Sequence, residues 1–188
     1  LVDTYQGVYA YNGNGSLREG FPVATNEKFE GANVVVKDIN ADGYPEIIAG
    51  SRYTGNLYIW DRTGKLLPGW PQSTRAFTAS IAATSNQIIV SSNSGSGTTG
   101  EIVAYNLDGS KVWAYPVNGN AWITVGDVDG NGKLETVFYS DEELIGIIDN
   151  KGKLIRSFSS IYKLHHGLVL GDVDGDGIIT LADFKSFM

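Results

Sequence analysis

The chain has 188 residues, 42% of them hydrophobic and 19% charged, which is length enough for the buried core of one globular domain. Fourteen basic residues against 21 acidic ones give a net charge of −7; this argues against nucleic acid as a partner, because phosphate binding needs clustered Lys and Arg. The absence of cysteine removes disulfides, thiolate nucleophiles and Cys-type zinc sites together, and no apolar run reaches the length of a membrane-spanning helix.

Helix formers are sparse, whereas 24 Gly, ten Tyr and many Val, Ile, Thr, Asn and Asp favour short strands joined by tight turns. No signal peptide is visible at Leu1, as expected of a mature chain or of an excised fragment. Two kinds of segment alternate along the chain. The first is a hairpin, GVYAYNGNGSLREGFP from Gly7. The second is a pair of apolar runs around an Asp-rich loop, ANVVVKDINADGYPEIIAG from Ala32. A hairpin follows at Gly55 (GNLYIWDRTGKLLPGWP), then TASIAATSNQIIVSS from Thr78, in which the loop is shortened to TSNQ. SSNSGSGTTG from Ser91 is read as a flexible connection. The next hairpin, GEIVAYNLDGSKVWAYP, starts at Gly100, and AWITVGDVDGNGKLETVFY starts at Ala121. SDEELIG places Glu142 and Glu143 in a solvated turn before the last hairpin, LIGIIDNKGKLIRSF from Leu144. HGLVLGDVDGDGIITLADF closes the series from His166.

The turn glycines Gly15, Gly64, Gly109 and Gly152 are spaced by 49, 45 and 43 residues. Each repeat supplies four short strands in about 45 residues, the size of a propeller blade. The spacing predicts an all-β propeller domain over 1–170, with a hairpin at 1–30, blades at 31–74, 75–119 and 120–162, and a partial blade at 163–188. Residues 163–188 and 1–30 together make a fourth blade that closes a ring, or the chain is a piece of a larger propeller; both arrangements fit. The aromatics before proline, Phe21, Trp70 and Tyr115, suggest packing between blades.

A hard cation needs oxygen ligands at alternating positions and a glycine where the chain turns sharply. The first loop has Asp38, Asn40 and Asp42 at positions 1, 3 and 5, Gly43 at 6, the Tyr44 carbonyl at 7 and Glu46 at 9. The second has Asp127, Asp129, Asn131, Gly132, the Lys133 carbonyl and Glu135 in the same places. A metal-free cluster of Asx turns has the same spacing, but three repetitions of D-x-[DN]-x-[DN]-G favour the cation. In VVVKDINADGYPEIIAG and ITVGDVDGNGKLETVFY, each followed by a hairpin, the chain resembles the FG-GAP and VCBS repeats, calcium-loop propeller blades also found in integrin α-subunits. The resemblance covers about Gly7 to Gly177. It implies bound Ca²⁺, two to three ions over the chain, and a ligand at position 9 that Glu46 and Glu135 supply.

The third loop diverges. Asp172, Asp174, Asp176, Gly177 and the Ile178 carbonyl fit, but position 9 is Thr180 and position 12 is Asp183, where EF-hand loops place their closing carboxylate. Leu181, Phe184 and Phe187 or Met188 are spaced as one helical face. GDVDGDGIITLADFKSFM therefore resembles half of a dockerin, over 171–188, which implies a short C-terminal helix and a cohesin domain as partner. A divergent blade is the competing reading.

His165 and His166 are adjacent, so on a strand they face opposite ways and cannot easily share a metal. Trp122 opens an inner strand near the expected axis and is the candidate ligand-binding residue. No nucleophile elbow, phosphate loop or zinc-protease helix is present. The expected function is that of a non-catalytic, calcium-binding propeller of an extracellular or cell-surface protein, serving adhesion or recognition of a protein or carbohydrate partner. The rival is part of a polysaccharide-degrading, lyase-like enzyme with a dockerin-type end.

Overall fold

The computed structural model describes residues 2–4, 7–25, 29, 34–51, 53–75, 77–160, 168 and 170–172, and every regular element among them is a β-strand. The all-β propeller class read from the sequence is borne out. Strands β1 (Val2–Thr4), β2 (Gly7–Tyr9) and β3 (Val23–Ala24) make a first, three-stranded sheet. Three four-stranded sheets follow. The second holds β4 (Val34–Lys37), β5 (Glu46–Gly50), β6 (Asn56–Trp60) and β7 (Gln72–Ser73). The third holds β8 (Phe77–Ala83), β9 (Gln87–Asn93), β10 (Gly100–Asn106) and β11 (Lys111–Val117). The fourth holds β12 (Ala121–Gly126), β13 (Glu135–Ser140), β14 (Leu144–Ile148) and β15 (Leu154–Ser159). All pairings are antiparallel between sequence neighbours.

Successive side chains of a strand point to opposite faces, and here both faces are apolar. Ile47 and Ala49 of β5 pack against Val8 and Val23 of the first sheet and against Phe21 just before β3, while Ile48 between them packs against Ile81, Ile88 and Val90 of the third. Ile89, Ile102 and Ala104 turn the other way, onto Ile123, Phe138 and Ile148 of the fourth sheet. Each fully buried Ile or Phe in these seams contributes about 1.5–3 kcal/mol. The first strands β4, β8 and β12 of the three complete sheets lie side by side, so the sheets stack face to face about one edge. That is how blades surround an axis.

The hairpin turns lock neighbouring sheets. Gly64 sits so close to the Gly20 carbonyl that an added Cβ would lie 2.4 Å from its oxygen, and Gly109 repeats this against the Gly69 carbonyl at 2.5 Å. The Trp70 indole, 5% exposed, donates to the Leu107 carbonyl of the next sheet at 2.8 Å and meets Tyr105 edge-on. Phe21 is likewise buried in the seam between the first and second sheets.

Tyr115 departs from this pattern. Phe21 and Trp70 each follow a glycine at positive φ, Gly20 (83°) and Gly69 (85°), whereas Ala114 stays in strand conformation within β11. Tyr115 therefore packs on Phe138, and Trp113 takes the buried seam position beside Gly152. The stretch from Ser91 is also more ordered than its composition suggests. Ser91, Ser92 and Asn93 are buried in β9; the Ser91 hydroxyl donates to the Ala121 carbonyl, and only the following residues form the loop. The partial blade at 163–188 is outside the described residues except for 168 and 170–172, and the histidines and the C-terminal helix lie wholly outside them.

Candidate metal centre

Both Asp-rich loops join the first two strands of a sheet and fold alike. At position 1, Asp38 Oδ2 accepts from the Gly43 N–H at 2.9 Å, and Asp127 Oδ2 accepts from the Gly132 N–H at 2.8 Å. Positions 4 and 6 adopt the left-handed conformation, with φ of 60° and 84° at Ala41 and Gly43 and 73° and 80° at Gly130 and Gly132. This pair of reversals coils the loop so that the odd-numbered side chains turn inward. Position 2 is an apolar plug that sinks into the core, Ile39 in one loop and Val128 in the other.

Position 9 begins the next strand and is deeply buried: Glu46 is 2% exposed and Glu135 is 1%. Glu46 Oε2 accepts from the Ile39 N–H at 3.0 Å, and Glu135 Oε2 accepts from the Val128 N–H at 3.1 Å. Burial pushes the Glu46 carboxyl above its ordinary pKa; the Ile39 N–H lowers it in part, and the charges of Asp42 and Asp38 push it up again. Glu135 is raised in the same way, first by burial, with the Val128 N–H opposing and Asp129 and Asp127 adding to the rise.

In the second loop, one carboxylate oxygen from each of Asp127, Asp129 and Glu135 lies within 4.8 Å of the others. Oxygens around one Ca²⁺ sit about 2.3–2.6 Å from the ion, so a separation of up to about 5 Å suits a shared cation. Asn131 Oδ1 accepts from the Lys133 N–H at 2.8 Å, which orders the turn carrying that carbonyl. In the first loop, the Asn40 amide donates to Asp42 Oδ2 and Glu46 Oε1, both at 3.3 Å, placing its partial positive charge among the carboxylates. Asp38 Oδ1 is buried there without a hydrogen-bond partner. A buried carboxylate oxygen left unpaired is costly, and a cation is one of the partners, beside a hydrogen-bond donor, that its chemistry admits. Asx-type bonds within the loops are present, including Asp42 Oδ1 to the Tyr44 N–H at 2.8 Å, yet they leave that oxygen unsatisfied. The exposed Tyr44 ring lies under the Arg62 guanidinium, 3.7 Å from its centre.

The remaining sequence candidates fall elsewhere. Thr84 and Asn86 take the place of an Asp loop in the third sheet, with Thr84 Oγ1 accepting from the Gln87 N–H at 2.9 Å. Asp172 is exposed, while Asp174, Asp176, Ile178 and Asp183 lie outside the described residues. Trp122 is half-buried, tilted against Tyr139 at 6.1 Å between ring centres, in an apolar cluster with Val128, Leu168 and Leu170. The apolar plug at position 2 went unread in the sequence although its signal was there: Ile39 and Val128 are the hydrophobic residues between the first two ligand positions.

Stacked four-stranded antiparallel sheets define this chain as a β-propeller-type protein. No family model and no curated protein matches it. Among solved structures, BBS1N in complex with ARL6DN, a β-propeller protein, superposes at a TM-score of 0.68 with 15% identity over 89% of this chain and 51% of that one. A protein of unknown function from Bacteroides caccae superposes at 0.53 with 11% identity, over 84% and 56%. The Synechocystis apocarotenoid oxygenase gives 0.51 with 13% identity, over 82% and 44%. At these identities the likeness is one of fold, and the chain spans about half the length of these structures.

Proposed function

We propose that this chain is a calcium-stabilised, non-catalytic propeller unit of the FG-GAP/VCBS kind, belonging to an extracellular or cell-surface protein and serving recognition of a protein or carbohydrate partner. The observation that supports it most is the convergence of Asp127, Asp129 and the buried Glu135 within 4.8 Å. Three carboxylates so close repel one another and disfavour the folded loop unless a cation neutralises them. Ca²⁺ would be held by Asp127, Asp129, Asn131, the Lys133 carbonyl and Glu135, and in the first loop by Asp38, Asn40, Asp42, the Tyr44 carbonyl and Glu46. Bound there, it supplies charge neutralisation and a rigid loop, so its binding free energy adds to the stability of the fold.

Calorimetric titration of Glu135→Gln tests the site. The variant is expected to bind one Ca²⁺ fewer than the parent chain while melting no lower in the metal-free state, because the amide removes repulsion in the metal-free loop. Unchanged stoichiometry in a folded variant rules the second loop out as a calcium site.

A further inference from the structure

We propose that the seam between the third and fourth sheets carries a binding pocket for a neutral sugar residue. This deepens the recognition part of the function proposed above and rests on it, but not on its calcium part: the pocket includes Ser140, at the far end of β13 from Glu135, roughly 17 Å along the strand.

The cavity has a volume of about 250 Å³ and is lined by residues of both sheets, among them Tyr115, Asn118, Phe138, Ser140, Glu142 and Leu144. That is small for a drug-sized ligand and of the right order for one pyranose ring. Half-buried Tyr115 gives it aromatic surface, backed by the fully buried Phe138 ring 5.6 Å away between centres. The C–H faces of a sugar stack on such rings, as apolar bodies with polar edges do. Asn118 Nδ2, just past β11, donates to Glu142 Oε1, in the turn between β13 and β14, at 2.6 Å. An amide and a carboxylate held side by side offer both donors and acceptors, which sugar hydroxyls can complement.

Ser140 supplies the independent sign of a ligand. It is 1% exposed, and its Oγ is buried with no hydrogen-bond partner. On β13 its side chain shares a face with Phe138 and opposes that of Tyr139, so the hydroxyl points to the same seam as the Phe138 ring. A buried hydroxyl without a partner is satisfied by one polar atom of a ligand. Among the described residues of the lining, Glu142 is the one charged group, and with a chain charge of −7 it disfavours phosphorylated or acidic ligands.

The test is calorimetry and ligand-observed NMR on the full chain with glucose, galactose, mannose, xylose and their β-linked disaccharides, and glucuronate as the acidic control. At least one neutral sugar is expected to bind saturably, with a Kd of about 1–10 mM for the monosaccharide. Glu142→Ala, an exposed change that leaves the fold intact, is expected to weaken binding about tenfold, and Tyr115→Ala at least as much. Ser140→Ala should also weaken binding while leaving the melting temperature equal or higher, since it removes an unsatisfied hydroxyl. No saturation with any sugar, stronger binding of glucuronate, or affinity unchanged in Glu142→Ala overturns the proposal. Calcium-dependent melting of the same samples separates the two ideas: sugar binding lost with calcium dependence intact sinks the pocket alone.

Discussion

Ala41 and Gly130 occupy the same turn of the two Asp loops, with φ of 60° and 73°. A residue with a Cβ pays about 1–2 kcal/mol for this conformation, partly recovered through the lower entropy of the unfolded chain. Ala41→Gly is therefore expected to stabilise the protein by about 0.5–1 kcal/mol, read as a rise in the denaturation midpoint; a lower midpoint would show that the Ala41 methyl has a packing role. The odd-numbered aspartates and asparagines were legible as candidate ligands because ligand chemistry demands side-chain oxygens at alternating positions. What the spacing did not show was how unlike the two loops are inside. Asn40 puts an amide N–H among the carboxylates where Asp129 puts another carboxylate, so only the second loop gathers three acidic oxygens.

In the hairpin turns, four glycines at one sequence position do two different jobs. Gly15 and Gly109 both have a φ of 82°. A Cβ at Gly15 would meet none of the described residues within 4 Å, whereas one at Gly109 would lie 2.5 Å from the Gly69 carbonyl oxygen. Gly15→Ala is expected to cost about 1 kcal/mol, the conformational term alone, and Gly109→Ala more than about 2 kcal/mol, since the seam must also open. Equal losses in chemical denaturation would show that the turn does not dock. The hairpins were readable from alternating apolar residues and turn glycines at 15, 64, 109 and 152. The third aromatic-proline segment misled for a local reason. The spacing from turn glycine to aromatic is the same in all three, but Ala114 stands where Gly20 and Gly69 reverse the chain, so Tyr115 remains in the strand. Likewise Ser91 to Asn93 looked unpackable by composition, yet the seam offers them partners such as the Ala121 carbonyl, which only the packing of neighbouring sheets reveals.

For the molecule as a whole, stacked sheets bury apolar residues on both faces, and repetition at about 45 residues made that architecture legible before any contact was known. Seams between sheets were not legible in detail, because side chains such as Asn118 and Glu142 are 24 residues apart in sequence and meet only when the third and fourth sheets stack. The acidic loops sit at strand junctions that the seams hold in place, so filling them with cations bears on the stability of the whole. At free Ca²⁺ of about 100 times Kd, each site adds about 2.7 kcal/mol, and two sites correspond to a shift of roughly 10–20 °C for a chain of this size. Thermal melting of the chain in calcium and in excess chelator tests this most directly. The account predicts a midpoint lower by roughly that amount in chelator and restored when calcium is returned, whereas midpoints agreeing within about 1 °C would contradict it.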